Sequence, residues 1–212
     1  RSEQNFKHGK KVGDYTEWVT EIFNNGKIED PVVTKLKTIT DFNGNFSYDD
    51  VRKSARIEVD VWDKLEHGHK ILETLDECNQ YWHSYAPMIK EQLDYAFKCF
   101  DSFVESYEFI GNNMEIIDYG CGQGGASIRF LEKFYQGFKT YISKIKLIEP
   151  SSLALQRAVR TLNCYSSDIQ IDAINKKLDD VTYYELDTGF NRTYIHLFSN
   201  ILDVEGFDLF EL

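Results

Sequence analysis

The chain has 212 residues, of which 42% are hydrophobic and 15% aromatic, enough apolar material for one large domain with a substantial core. Its net charge is −11 and both halves are acidic, so non-specific binding to nucleic acid, which depends on neutralising phosphates, is disfavoured. No apolar run approaches the roughly 20 residues of a membrane span, and no signal-peptide pattern follows Arg1. Four scattered cysteines without a C-x-x-C pair predict reduced thiols in a cytoplasmic protein.

The first hundred residues are predicted to be helical. Apolar residues at positions i, i+3, i+4 and i+7 predict a helix over Asp14–Asn24. A second helix is predicted to begin at Asp30-Pro31, since proline is favoured in a first helical turn. Ser47 is a candidate N-cap for a third helix. The apolar spacing over Ser54–Leu75 is assigned to a fourth.

A dense aromatic segment precedes a longer helix, which is predicted from Pro87 to about Tyr107. Its aromatic members are either a cover over a ligand or the contact between the helical region and a sheet, and both roles stay open: Tyr81, Trp82, His83 and Tyr85. A metal site around His67-Gly68-His69 is disfavoured, because this spacing has no partner ligands at the usual distances. We therefore predict no metal.

The most informative segment is Glu115–Ser127, with the sequence EIIDYGCGQGGAS. An apolar run closed by Asp118 is followed by glycine at every second position and then by an apolar helix start. Glycines let the backbone approach a ligand closely, and a helix N-terminus presents unpaired N–H groups. This pattern predicts a strand, a glycine-rich turn and a helix that together hold a nucleotide-like ligand.

Strands and helices are predicted to alternate through the second half of the chain, which indicates a parallel sheet. The predicted strands are Glu115–Tyr119, Lys144–Glu149, Ile169–Ile174 and Thr193–Phe198, and the intervening helices are Gly124–Tyr135 and Ser152–Cys164. Glu149 ends the second strand, where nucleotide-binding folds place an acid that accepts hydrogen bonds from the ribose hydroxyls.

The glycine-rich turn resembles the D-x-G-x-G-x-G signature of class I methyltransferases that use S-adenosylmethionine (SAM), with Asp118, Gly120, Gly122 and Gly124 at the matching positions. The dinucleotide pattern G-x-G-x-x-G/A also fits, through Gly125, but leaves the acid unexplained. The resemblance covers roughly residues 107–212. It implies an α/β fold with a Rossmann-like parallel sheet and flanking helices. Residues 1–86 would form a helical N-terminal cap or accessory region, and residues 87–212 the SAM-binding domain.

The same resemblance implies the site residues. The expected cofactor-binding set is Asp118, Tyr119, Gly120, Cys121, Gly122, Gly124, Glu149, Pro150, Asn175 and Ser199, with Asn175 near the adenine. Ser199, Asn200 and Asp203 would face the methyl donor and the acceptor. An alternative makes Asn200 a helix N-cap and Asp203 an acid in the first turn of that helix. Cys121 is better explained by tight packing beside a ligand than as a nucleophile.

Class I methyltransferase sheets have seven strands in the order 3-2-1-4-5-7-6, and four are predicted here. We expect the sheet to be completed by C-terminal strands of a longer protein or by another chain. The leading functional hypothesis is methyl transfer from SAM to an unidentified acceptor, a small molecule or protein being favoured over nucleic acid. The alternatives are a SAM-binding module without transferase activity and, less favoured, an NAD-dependent oxidoreductase.

Overall fold

The computed structural model describes residues 29–43, 45–104, 114–138, 141–166, 168–186, 189 and 192–201. The helices in these ranges are α1 (Pro31–Asn43), α2 (Tyr48–Ser54), α3 (Leu75–Val104), α4 (Gly125–Phe138), α5 (Ser152–Tyr165) and α6 (Tyr183–Leu186). The strands are β1 (Met114–Tyr119), β2 (Ile142–Ile148), β3 (Gln170–Ile174) and β4 (Thr193–Phe198). The helix predicted over Asp14–Asn24 lies outside the described residues.

The four strands form one sheet in the order β3-β2-β1-β4, and every neighbouring pair is parallel. This confirms the predicted Rossmann-like α/β architecture. In the register of the sheet, Tyr119 at the end of β1 lies beside Ile148 of β2 and Phe198 of β4. The strands therefore end level with one another, and the loops that follow them converge at one edge of the sheet.

One hydrophobic core joins the N-terminal helices to the sheet. The buried cluster extends from Val32 and Leu36 in α1, through Trp82 and Phe97 in α3, to Ile116 in β1. A smaller cluster on the opposite face includes Ile117, Tyr119, Ile148 and Leu186. The expected division between residues 86 and 87 falls inside α3, and buried residues on both sides of it share the larger cluster.

The prediction that the long helix begins at Pro87 is wrong, because α3 runs unbroken for 30 residues from Leu75. Proline has no N–H, so the carbonyl of His83, four residues earlier, loses its helical donor. The guanidinium of Arg52 replaces that donor, with Nε and Nη2 lying 3.3 and 3.2 Å from the His83 carbonyl oxygen. Neither α3 nor any other helix in the described ranges has both the length and the apolar character to cross a membrane.

The prediction of a helix over Ser54–Leu75 is also wrong. Ser47 is the predicted N-cap, and it shares a capping box with Asp50, but α2 ends at Ser54. The chain then continues irregularly, with two short 3-10 turns at residues 62–64 and 66–68. Val59 and Trp62, two of the apolar residues in this segment, are 54% and 45% exposed. Their apolar spacing therefore does not correspond to a face packed on the core.

Candidate functional site

A cleft of about 370 Å³ opens at the carboxyl edge of the sheet. Three loops at this edge of the sheet line it: the loop after β1, the β2–α5 turn and the residues that follow β4. The segment after β3 contributes residues 177–179. Residues 68–72 and Tyr81 of the N-terminal region line the cleft as well. The cleft thus lies where ligands bind in parallel α/β folds, and the N-terminal region is part of its wall.

Gly120, Gly122 and Gly124 all have positive φ angles, of 59°, 51° and 81°. A Cβ built on Gly120 would lie 2.3 Å from Cγ2 of Ile201, so any side chain at position 120 would have to displace Ile201 in the loop after β4. A Cβ on Gly122 would have no atom within 4 Å, and Gly122 lines the cleft. Gly120 is therefore required for packing, whereas Gly122 keeps space open beside the backbone, as a close-fitting ligand requires.

Asp118 lies beneath this loop rather than along the cleft. Its carboxyl group is fully buried, and Oδ2 accepts hydrogen bonds from the backbone N–H of Ser127 at 3.2 Å and from its hydroxyl at 2.6 Å. Burial, with a smaller contribution from the nearby Glu149, raises the pKa of Asp118 to about 7. Asp118 joins the end of β1 to the first turn of α4, so it can support a ligand only by fixing the loop.

Glu149 places a largely buried carboxyl group in the lining of the cleft. Its Oε2 accepts from the N–H of Gly122 at 2.9 Å while Oε1 accepts from the N–H of Ser151 at 2.8 Å. Each carboxylate oxygen has a second lone pair that can accept from a ligand hydroxyl. Burial raises the pKa of Glu149 to about 7. The adjoining Pro150, also predicted from the sequence, lines the cleft too.

Two other residues of the expected cofactor-binding set, Tyr119 and Cys121, are surrounded by protein. The Tyr119 hydroxyl lies 3.0 Å from Nδ1 of His196, and its ring stacks on Phe198 with centroids 4.4 Å apart, so it packs against β4. Cys121 is buried in the loop, where desolvation raises its pKa well above the usual value for a thiol. A thiol held neutral is a poor nucleophile, which agrees with the packing role that the sequence favoured.

Asn175 lies under the β2–α5 turn. Its Nδ2 donates to the backbone carbonyls of Glu149 and Pro150, each at 2.9 Å. The segment that lines the cleft is instead the one two to four residues further on, with Lys177, Leu178 and Asp179. Asn175 therefore stabilises the turn that contains Glu149, while residues 177–179, which follow it in the chain, line the cleft.

Asn175→Ala should lower the free energy of unfolding by about 1–3 kcal/mol, because two carbonyl groups lose their donor. Urea titration followed by circular dichroism measures the loss. Asp180→Ala, which truncates an exposed side chain outside the cleft lining, serves as the control for a mutation in this loop. If Asn175→Ala left stability unchanged but weakened ligand binding, the side chain would be a direct ligand contact after all.

Ser199 and Asn200 line the cleft at the end of β4. Asn200 has a φ of 57°, in the left-handed region that asparagine tolerates better than most residues. Ser199 also lines the smaller pocket described next, so it lies where the two spaces meet. Asp203, the third predicted catalytic residue, lies outside the described residues.

A small pocket of about 40 Å³ adjoins the cleft on the side of the N-terminal helices. The aromatic side chains of Tyr48, Tyr81 and Trp82 line it, together with Gly125 and Ala126 at the start of α4. Trp82 is 3% exposed, and its Nε1 has no acceptor among the described residues. Two of the four predicted cover residues, Tyr81 and Trp82, thus line the site.

The other two cover candidates lie further away. Tyr85 stacks on Trp62 with ring centroids 5.2 Å apart, and the carbonyl of His83 accepts from Arg52. Sequence reasoning missed Tyr48, Gln123 and residues 68–72 as parts of the site. Of these, only Gln123 could have been predicted, since it is a polar residue inside the glycine-rich loop.

No group of three or more His, Cys, Asp or Glu side chains in the described ranges is arranged to hold a metal ion. Comparison with protein-family models, with curated proteins and with solved structures finds no match to the chain.

Proposed function

We propose that the cleft binds SAM and that the protein transfers the methyl group of SAM to an acceptor. The observation that carries this proposal is the pairing of the open Gly122 backbone with Glu149. Gly122 follows the carboxyl end of β1, and Glu149 follows the carboxyl end of β2. The N–H of Gly122 donates to Oε2 of Glu149 at 2.9 Å, and both residues line the cleft. The acid at position 118, two residues before the first glycine, supports the methyltransferase pattern over the dinucleotide pattern.

The residues present fit SAM in size and chemistry. The cleft volume lies within the range of about 300–1,000 Å³ in which drug-sized ligands bind. Glu149 would accept from the ribose hydroxyls, and the space beside Gly122 would admit the ligand against the backbone. When bound, SAM supplies an electrophilic methyl group. Ser199, at the junction of cleft and pocket, and Asn200, in the cleft lining, would orient the acceptor. Tyr81 and Trp82 would keep water out.

Catalysis on this proposal consists chiefly of positioning and exclusion of water, so the acceptor itself must be nucleophilic. The net charge of −11 favours a small-molecule or protein acceptor over nucleic acid. All four cysteines have free thiols, which supports the cytoplasmic location that forms part of the same proposal.

Isothermal titration calorimetry with SAM, S-adenosylhomocysteine and NAD tests the binding step. We expect micromolar binding of the first two ligands, a loss of at least tenfold in affinity in Glu149→Gln, and no change in Tyr95→Ala, whose side chain is 74% exposed on α3. Binding of NAD without SAM would overturn the proposal in favour of an oxidoreductase.

Transfer of labelled methyl groups from SAM to cell extract, fractionated into protein, RNA, DNA and small molecules, tests the second step. Label should appear in the protein or small-molecule fraction and disappear with Glu149→Gln. SAM binding without label in any fraction would make the protein a binding module rather than a methyltransferase.

A further inference from the structure

Arg157, in the middle of α5, is 1% exposed and lies outside the lining of the cleft. Its guanidinium binds three different parts of the chain. Nε and Nη2 donate to the two carboxylate oxygens of Asp30 at 2.6 and 3.1 Å. Nη1 donates both to Oδ1 of Asn79 and to Oε1 of Gln123, each at 2.9 Å.

Each partner of Arg157 has a structural task of its own. Asp30 also accepts from the N–H of Val32 at 3.0 Å, so it caps the start of α1. Gln123 belongs to the glycine-rich loop, lines both the cleft and the small pocket, and donates through Nε2 to the carbonyl of Cys78 at 3.0 Å. Arg157 thus connects the first turn of α1, α3 and the glycine-rich loop through one buried cation.

The geometry points to Arg157 as a positioning residue that sets the glycine-rich loop through Gln123, and to Asp30 as the distant carboxylate on which this depends. A buried guanidinium must keep its carboxylate or move towards water. If Asp30 loses its charge, Arg157 shifts and the amide of Gln123 loses its anchor. The start of α1, far from the ligand in sequence and outside the cleft lining, then controls the affinity of the cleft.

Hydrogen exchange of the ligand-free protein tests this coupling in Asp30→Asn. We expect amides of residues 120–125 to exchange at least fivefold faster than in the wild type, after normalisation to amides of β2. The matched control is Asp94→Asn, which removes the ion pair of Asp94 with Arg129 between α3 and α4, away from the cleft. Asp94→Asn should change the exchange rates of the loop amides and of the β2 amides by the same factor. If the exchange rates of the loop and of β2 rose by the same factor in Asp30→Asn, the proposal would be overturned and Arg157 would be a purely structural residue.

If Asp30→Asn does not fold, Asn79→Ala provides the milder variant, since Asn79 is only half-buried and supplies one of the four acceptor atoms. It should speed loop exchange at least twofold relative to β2, and an unchanged ratio would contradict the proposal.

A second measurement follows the consequence for the ligand and rests on the proposed function. The Kd for SAM should rise at least fivefold in Asp30→Asn and stay unchanged in Asp94→Asn. Selective loop exchange together with no SAM binding by the wild-type protein would sustain the coupling and reject the proposed function. An unchanged Kd in a wild-type protein that binds SAM would reject the role of the coupling in affinity.

Discussion

Gly120→Ala should lower the free energy of unfolding by about 2–4 kcal/mol, whereas Gly122→Ala should cost only about 1 kcal/mol. Both glycines have φ angles near 55°, so the backbone strain of an alanine is similar at the two positions. The two positions differ in the space available for a methyl group. The new methyl at 120 would lie 2.3 Å from Cγ2 of Ile201 and 3.4 Å from its Cβ, and that side chain must move. The new methyl at 122 meets no atom within 4 Å.

The pair separates folding from binding. Because the open space at Gly122 faces the cleft, its methyl group should weaken SAM binding at least tenfold in a protein that remains folded. Gly120→Ala should lower the melting temperature far more than Gly122→Ala does. Thermal unfolding and calorimetry of the two variants measure both effects. Normal SAM affinity in Gly122→Ala would show that the ligand does not approach this backbone, and the assignment of the loop to the cofactor would be wrong.

The sheet and the glycine-rich loop were predictable because their signals are local. A buried parallel strand is a short apolar run, as in β1, which is buried throughout. β4, which is mostly half-buried, was also predicted with the bounds that the structure has, Thr193–Phe198. A loop that needs positive φ uses glycine, which marks it in the sequence. The position of Glu149 directly after β2 was predictable for the same reason, since it follows such an apolar run.

The errors arose where distant residues decide the local structure. Arg52 supplies the donor that Pro87 lacks, so a helix continues where the sequence alone predicts a start. The bond between Arg157 and Asp30 joins residues 127 positions apart, and no periodic pattern announces it. Asp118 had the correct position in the motif, but its contact is Ser127 of the next helix rather than the cleft.

Affinity for SAM should rise by up to about tenfold per pH unit as the pH approaches 7, and it should level off above that value. Burial raises the pKa of Glu149 to about 7 in the ligand-free protein, so the group holds a proton below this pH. Ribose hydroxyls that donate to the carboxylate favour its ionised form. Binding must therefore expel the proton, and this becomes easier as the pH rises.

The stability of the ligand-free protein should change in the opposite direction. The pKa of Glu149 is 4.5 in the unfolded reference and about 7 in the folded protein, so the folded state holds the proton more tightly. This contribution to stability is complete below about pH 4.5 and is lost as the pH rises to about 7, with a slope of at most about 1.4 kcal/mol per pH unit. Asp118, whose pKa rises from 3.8 to about 7, adds a slope of the same sign.

Glu149→Gln removes the titrating carboxyl group that links the pH dependence of SAM affinity to the pH dependence of stability. SAM affinity of this variant should be independent of pH and no higher than that of the wild type at low pH, while Asp118 alone maintains part of the stability slope. Calorimetry in buffers of different ionisation enthalpy measures the proton released on binding, with the exposed Glu91→Gln on α3 as control. Release of a proton by Glu149→Gln, or wild-type affinity that does not change with pH, would show that Glu149 does not receive the ligand hydroxyls.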